Sequence, residues 1–500
     1  MARKIHFLLF GLWSVDFVIA DFKYTFEMYL SGYAATPASL LSSPALIETL
    51  IERRGGIISL NTFRKNRVVL TTIGSLGDLH PYIALALEMK KRYIEPVIAT
   101  SNTHRSRVES LGIEFRPIRP VMPEQETPEY RRMLDGVVDP NRGAEYLFKQ
   151  ILVPAVRGMY HDLSSAIRGA DLLVTHPIVL AGPLVAQQSG IPWVSTVLSP
   201  ASLWSAFDPF VPPNMPWLHK VLTYFGPHAA RAFETFIKVL TNPWLVELYE
   251  LRQELGLPPG GHPLFEGQFS PELNLAMFSN ALCVPKSDWP KNTVMTGFPF
   301  YDKNDNEPAD PELIRFMEQG PRPIVFTLGS AAVHVAGDFY RESVAAAKLL
   351  KRRALLLIGN EENRPKERLP EGIAAFNYAP FGEVLPRAAA MVHQGGVGTT
   401  GQGLRAGIPM LVVPFAHDQP DNAARVTRLG VARTIGRKEY KAELVARELK
   451  ELLLNPFYVK RAHQIGHRVR CENGAALAVD MILDRLNKER ATRFELRTVA

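Results

Sequence analysis

From Arg67 onward, short apolar runs alternate with longer stretches whose apolar residues recur at helical spacing. That alternation predicts buried parallel strands separated by helices. Val68 to Ile73, Pro96 to Thr100, Leu172 to Thr175 and Trp193 to Thr196 read as strands, and Pro81 opens a helix that carries Ile83, Leu85, Ala86, Leu87 and Met89 toward Arg92. A further helix near Ala181 to Ser189 closes at Gly190. The Pro-, Asn- and Asp-rich segment Pro285 to Pro311 breaks the pattern, and Ile324 to Leu328 restarts it ahead of Gly329-Ser330. Ala390 to His393 is a strand, Thr399 to Ala406 a helix that a threonine caps and Gly407 ends, and Met410 to Pro414 the next strand. The pattern predicts an α/β chain of two sequential Rossmann-like domains, residues 67–300 and 312–470, with a cleft between their sheets.

Composition agrees with this picture without producing it. The 500 residues are 46% hydrophobic and 21% charged, with a formal net charge of +7. Ample cores follow from that length. The basic residues are spread along the chain without the aromatic interleaving of a nucleic-acid surface, so a nucleotide or a lipid headgroup is the expected anionic partner. Cys283 and Cys471 stand far apart without a CxxC or His-rich neighbourhood, which excludes a disulfide framework and a zinc site and favours a reducing cytoplasm. Residues 1–66 read as a loosely ordered or mis-started extension: Lys4, the run Ile5 to Trp13 and Val18-Ile19-Ala20 make a poor signal peptide interrupted by Asp16. No span of about 20 apolar residues occurs, so peripheral membrane contact, through Arg53, Arg54, Arg64, Lys65 and Arg67, is the one membrane role left open.

The chemistry concentrates in Tyr378 to Asn422. Gly395, Gly396 and Gly398 follow His393 and lead into a helix start, where unpaired N–H groups and the positive end of the helix dipole suit an anion. A diphosphate fits such a turn, with His393 as one more donor. Asp418 beside Gln419, at the C-terminal edge of the sheet, suits sugar hydroxyls. Taken singly, each piece has a structural reading too: a tight connection for the glycines, a strand-end contact for the histidine.

The order HQGGVGT, AGIP, DQPDNA resembles the donor signature of the inverting family 1 glycosyltransferases, over about Arg67 to Leu486. The resemblance implies the GT-B fold, an acceptor-binding first domain, a nucleotide-sugar-binding second domain and a final helix, 471–500, crossing back toward the first. It implies that Tyr378 stacks on the nucleotide base beside Phe381, that His393, Gly395, Gly396, Gly398 and Thr399 hold the diphosphate with Ser330, and that Asp418 and Gln419 hold the sugar. Plant relatives carry a ribose-binding Glu where this chain has Gly401, with Gln402 as a substitute. No D-x-D motif is present, so neither a metal nor a resident cofactor is expected; a UDP-sugar is the co-substrate.

The first domain supplies the candidate base. Ile73-Gly74-Ser75-Leu76-Gly77-Asp78-Leu79-His80-Pro81 leaves a strand for a helix and is not GxGxxG, which disfavours a dehydrogenase. Asp78 occupies the position of the base in relatives, and holding the turn is its alternative role. His176, at the end of a later strand, is placed to share its proton, to tune it or to replace it, and His80 is a third candidate. The aromatic-rich stretch Trp204 to Tyr249 predicts a lipophilic acceptor pocket. The expected reaction is metal-independent, inverting transfer of a hexose, glucose first, from UDP to a small-molecule or lipid hydroxyl. A nucleotide-sugar epimerase and a catalytically silent nucleotide-sugar binder remain the alternatives.

Overall fold

The apolar runs become thirteen strands in two all-parallel sheets of the computed structural model, which describes residues 65–124, 127–302 and 310–499. The expected N-terminal extension lies outside the described residues except for its last two. The first sheet contains β1 (Arg67–Thr71), β2 (Glu95–Thr100), β3 (Glu114–Pro117), β4 (Leu172–Thr175), β5 (Trp193–Val197), β6 (Asn274–Ala276) and β7 (Thr293–Met295), in the order β3-β2-β1-β4-β5-β6-β7. The second contains β8 (Ile324–Thr327), β9 (Ala354–Leu357), β10 (Ile373–Phe376), β11 (Ala390–His393), β12 (Met410–Val412) and β13 (Ala432–Thr434), in the order β10-β9-β8-β11-β12-β13. Strand order reverses between β1 and β4 in one sheet and between β8 and β11 in the other. Those are the points where open α/β sheets bind ligands.

Helices cover both faces of each sheet, so the strands are buried on both sides and read as continuous apolar runs. The first helix, α1 (Leu76–Lys91), starts well before the expected Pro81. Ser75 caps it, its hydroxyl accepting from the Gly77 N–H at 3.2 Å, and Pro81 is carried inside the helix. The helices used below are α2 (Gly182–Ser189), α3 (Pro216–Phe225), α4 (Pro227–Thr241), α5 (Val397–Ala406), α6 (Gln419–Arg428), α7 (Pro456–Arg470) and α8 (Gly474–Val499). As expected, α2 ends on left-handed Gly190, φ 69°, and α5 on left-handed Gly407, φ 72°. Strand β7 falls inside the segment Pro285 to Pro311 that breaks the sequence pattern, because the three residues of Thr293–Met295 suffice to extend the parallel ladder of β6.

One apolar cluster belongs to both lobes. Val197, Ala276, Phe278 and Phe298 of the first pack with Leu404, Val412, Ala423 and Ile465 of the second. A buried ion network lies beside it: Arg425 on α6 reaches Asp421 on its own helix at 2.7 Å and Asp208 of the first lobe at 2.6 Å. Burial works to lower the Arg425 pKa, and the two carboxylates overcome it and hold the guanidinium above its ordinary value. Asp421 also accepts the Val211 N–H at 3.1 Å. The final helix returns to the first lobe, where Ala478, Val479, Ile482 and Leu486 complete the core around Val68, Leu70, Leu79 and Ile83.

Because Asp421 is fully buried, Arg425→Leu leaves a charge without its partner. The expected loss is about 3 to 5 kcal/mol of stability, read as a lower urea midpoint at an unchanged m-value.

Candidate functional site

Parallel pairing puts the ends of β1 and β4 side by side, with Thr71 in register with Thr175. The residues that follow, the start of α1 and His176, therefore meet at one sheet edge. Asp78 is the third residue of α1 and completes a capping box: its Oδ2 accepts from the Ser75 N–H at 2.8 Å and the Ser75 hydroxyl at 3.1 Å. Its other oxygen, Oδ1, lies 4.0 Å from His176 Nε2. The turn-holding role and the facing of the histidine are thus divided between two oxygens of one carboxylate. Gly74 makes this geometry accessible: its φ is +123°, and a Cβ there would stand 2.4 Å from Asp78 Oδ2.

Burial, helped by the charge of Asp418 across the cleft and opposed by the Ser75 hydrogen bonds, pushes Asp78 up to about 6. Burial pulls His176 down to about 3. Of the two, the carboxylate takes a proton first, so His176 is neutral beside it. His176 Nδ1 is buried without a protein partner. His80 is separated from the pair: two positions along a helix point to different faces, and its ring stands edge-on to Tyr301 at 5.2 Å. Burial, with Arg107 and His104 nearby, takes His80 down to about 4.

The second sheet repeats the arrangement. His393 at the end of β11 is fully buried, and its Nδ1 accepts the Gly395 N–H at 3.1 Å. The ring is neutral, since burial lowers its pKa to about 3, so the proton sits on Nε2, which has no protein partner. Gly395 turns the chain at φ 91°, where a Cβ would meet Val412 at 2.9 Å and the Gln419 carbonyl at 3.0 Å. Helix α5 then begins at Val397, two residues ahead of the expected Thr399. Gly396 occupies the cap position without a side-chain hydrogen bond, so no threonine caps this helix and its first N–H groups are left free. A Cβ at Gly398 would meet nothing within 4 Å. The turn therefore offers free donors beside open space.

Asp418 precedes α6 and is pushed up to about 6 by burial, against hydrogen bonds from Asn422 and Ser199. Asn422, fully buried, donates to Asp418 Oδ2 at 2.8 Å and to the Gly395 carbonyl at 3.0 Å, tying the carboxylate to the glycine turn. Gln419 uses its Oε1 to accept the Phe415 N–H at 2.8 Å and the Ala416 N–H at 3.2 Å, which leaves its amide N–H groups to face outward. Ser330 is the second residue of the short helix Gly329–Ala332 at the end of β8, and that helix packs against α1. Tyr378 follows β10, 54% exposed, with Tyr301, Arg107 and Asp302 in its surroundings. Phe381 packs on the core of the second lobe with Leu385 and Val384 behind it.

Gly401 has a steric reason. A Cβ there would lie 3.0 Å from the Phe298 ring, so the space a glutamate would need is filled by the other lobe. Gln402 beside it is partly exposed. Residues that pattern reading passed over are Ser75, Ser199, Gln394 and Asn422. Ser75-x-x-Asp78 is a legible capping box, Asn422 lies within DQPDNA, and Gln394, whose Oε1 is buried without a partner, lies within HQGGVGT; Ser199 carries no local signal. Among the described residues no cluster of three or more His, Cys, Asp or Glu side chains is arranged to hold a metal.

Residues 68–160 match the profile of the Glycosyltransferase family 28 N-terminal domain, and residues 346–476 that of the Erythromycin biosynthesis protein CIII-like, C-terminal domain. The O-mycaminosyltylonolide 6-deoxyallosyltransferase of Streptomyces fradiae is 30% identical over 438 residues, 83% of this chain and 96% of that enzyme. The sterol 3-beta-glucosyltransferase of Leptosphaeria maculans is 28% identical over 444 residues, which cover 85% of this chain but 29% of the fungal protein. The chain thus spans under a third of that relative's length. Among solved structures, the calicheamicin glycosyltransferase CalG4 superposes with a TM-score of 0.62 at 16% identity, over 85% of this chain and 99% of that one. The glycosyltransferase VinC, in complex with DTDP, superposes with a TM-score of 0.61 at 20% identity, over 84% and 100%. With nearly the whole Streptomyces enzyme aligned, and two parallel sheets that turn their switch points toward each other, the chain belongs to the GT-B glycosyltransferases.

Proposed function

We propose that the chain moves a hexose, glucose before others, from UDP to a hydroxyl of a lipophilic acceptor of the macrolide or sterol kind, with inversion at the anomeric carbon and without a metal ion. One observation carries this reading: Asp78 from one lobe and Asp418 from the other are close enough that the charge of Asp418 helps raise the pKa of Asp78. A base and a sugar-holding carboxylate therefore face one recess, with a set of free N–H donors beside them. The names of the macrolide and sterol relatives support the acceptor class, and the order HQGGVGT, AGIP, DQPDNA supports family 1. The DTDP complex of VinC makes thymidine diphosphate sugars the second donor class to test. Two free cysteines, Cys283 and Cys471, support a cytoplasmic site of action.

In this reading the diphosphate lies at the glycine turn. The free N–H groups at the start of α5 and the His393 Nε2–H donate to its oxygens, each such bond contributing about 1.5 to 3 kcal/mol. Ser330 adds a hydroxyl, Tyr378 stacks on the base, and Asp418 with the Gln419 amide holds the sugar. The acceptor oxygen approaches the face of the anomeric carbon opposite the phosphate. The C1–O bond to phosphate breaks as the new C1–O bond forms, the acceptor proton passes to Asp78 Oδ1, and the nucleoside diphosphate leaves with the bonding pair. A carboxylate is basic enough because the acceptor hydroxyl turns acidic only late in the displacement. His176 positions that carboxylate and stays neutral.

The base form of Asp78 exists above its pKa, so kcat/KM should fall as pH drops through about 6. Asp78→Asn should lower kcat by about 100-fold or more and abolish that acidic limb, whereas His176→Ala should lower kcat and keep it. Removing the like charge with Asp418→Asn should move the limb to lower pH, a shift that stopped-flow or steady-state profiles would resolve. Product mass spectrometry on a panel of UDP- and TDP-sugars with mixed hydrophobic acceptors, run with and without EDTA, tests the reaction itself. A β-linked product from an α-linked donor, undiminished by chelation, is expected; no glycoside from any pair would remove the proposal.

A further inference from the structure

Helices α3 and α4 follow one another across Gly226 and pack together, yet they present their apolar faces to solvent. On α3 the residues Trp217, Val221 and Tyr224, spaced by four and three, lie on one face, and Trp217 is 59% and Tyr224 84% exposed. On α4 the exposed face carries Phe236, 59% exposed, with Val239 and Leu240. Leu222, Ala230 and Thr241 are the buried side chains of these two helices. A surface helix of a soluble domain ordinarily turns this stripe inward.

The hairpin itself is net cationic. Between residues 215 and 240 the sole acid is Glu234, 2.6 Å from Lys238, which also pairs with Glu266 outside the hairpin. The charged side chains that stand out toward solvent are Lys220 and Arg231. A face that is apolar and aromatic at its centre and cationic at its edge complements a bilayer bearing anionic headgroups. A second copy of the same face would set cation against cation, which disfavours a two-fold dimer through it. Neither helix is long enough to span a bilayer, and no helix among the described residues is both long and apolar enough to do so.

We propose that the α3–α4 hairpin docks this protein on an anionic membrane surface, with Trp217, Tyr224 and Phe236 seated in the headgroup region and Lys220 and Arg231 on the lipid phosphates. The hairpin lies beside the seam between the lobes: His219 on α3 meets Arg428 of α6 in the other lobe at 3.3 Å. Docked there, the enzyme opens toward the bilayer in which a lipophilic acceptor dissolves. Docking stands on the hairpin alone; that the bilayer delivers the acceptor rests on the transferase reading.

Sedimentation of the full chain with phosphatidylcholine vesicles, with and without phosphatidylglycerol, tests the proposal. The chain should pellet with the phosphatidylglycerol vesicles and less with phosphatidylcholine alone. The pairs Tyr224→Ser with Phe236→Ser, and Lys220→Glu with Arg231→Glu, should each weaken that binding by at least about tenfold. Both pairs should leave the far-UV circular dichroism and the urea midpoint of the chain unchanged, which separates lost docking from a lost fold. No binding by the parent chain, binding indifferent to phosphatidylglycerol, or binding that both pairs retain would overturn the proposal. So would a dimer in sedimentation velocity that both pairs dissolve, since the face would then be a contact between copies. Vesicle binding without any sugar transfer would leave docking in place and sink the transferase reading instead.

Discussion

The Arg425 guanidinium, buried between Asp421 on its own helix and Asp208 on the other lobe, fixes where the two sheets stand relative to each other. A charge in that position cannot shift away from either carboxylate without a large electrostatic penalty, so the contact is directional where the apolar cluster around Phe278, Phe298 and Val412 is only adhesive. Adhesion alone would leave room for sliding. Together they hold the β1–β4 switch point opposite the β8–β11 switch point, and every candidate site residue except His80, Phe381, Tyr378 and Gln402 sits at or beside one of those two edges.

Burial then sets the charges. Withdrawn from water, two carboxylates rise toward neutrality while His176 and His393 are kept from protonating. The cleft thereby avoids a fixed cation on either ring and presents neutral N–H donors beside bases that are ready near neutral pH. Raised carboxylate values also mean that ionising Asp78 and Asp418 works against the folded state. The stabilisation that their protonated forms contribute is complete below the ordinary carboxylate pKa and is lost as pH rises through about 6. The capping box offsets part of this for Asp78, because Ser75 donates to its ionised form.

The strand runs were legible because both faces of each sheet are buried, which leaves little ambiguity between strand and loop. Helix starts were less so. Pro81 looked like a first-turn proline, whereas Ser75 and Asp78 cap earlier, and the cap decided the boundary. Thr399 looked like a cap, but Gly396 takes that place because the turn needs its backbone free. The donor turn could be read from local order since glycines, histidine and helix start are contiguous. What depends on the fold could not: the reach of Ser199 to Asn422 and Phe298 filling the space above Gly401 both join residues distant in sequence.

The return of α8 reaches beyond packing. Ala478, Val479, Ile482 and Leu486 finish a core whose first strand is β1, so this part of the first lobe's hydrophobic interior stays incomplete until α8 has been synthesised. Domains that close on their own sequence fold as they emerge from the ribosome, first domain first. Here the order is reversed in part. The second lobe's own core, built from residues between Ile324 and Leu452, can close before the first lobe does, and the nascent first lobe must wait with α1 uncovered.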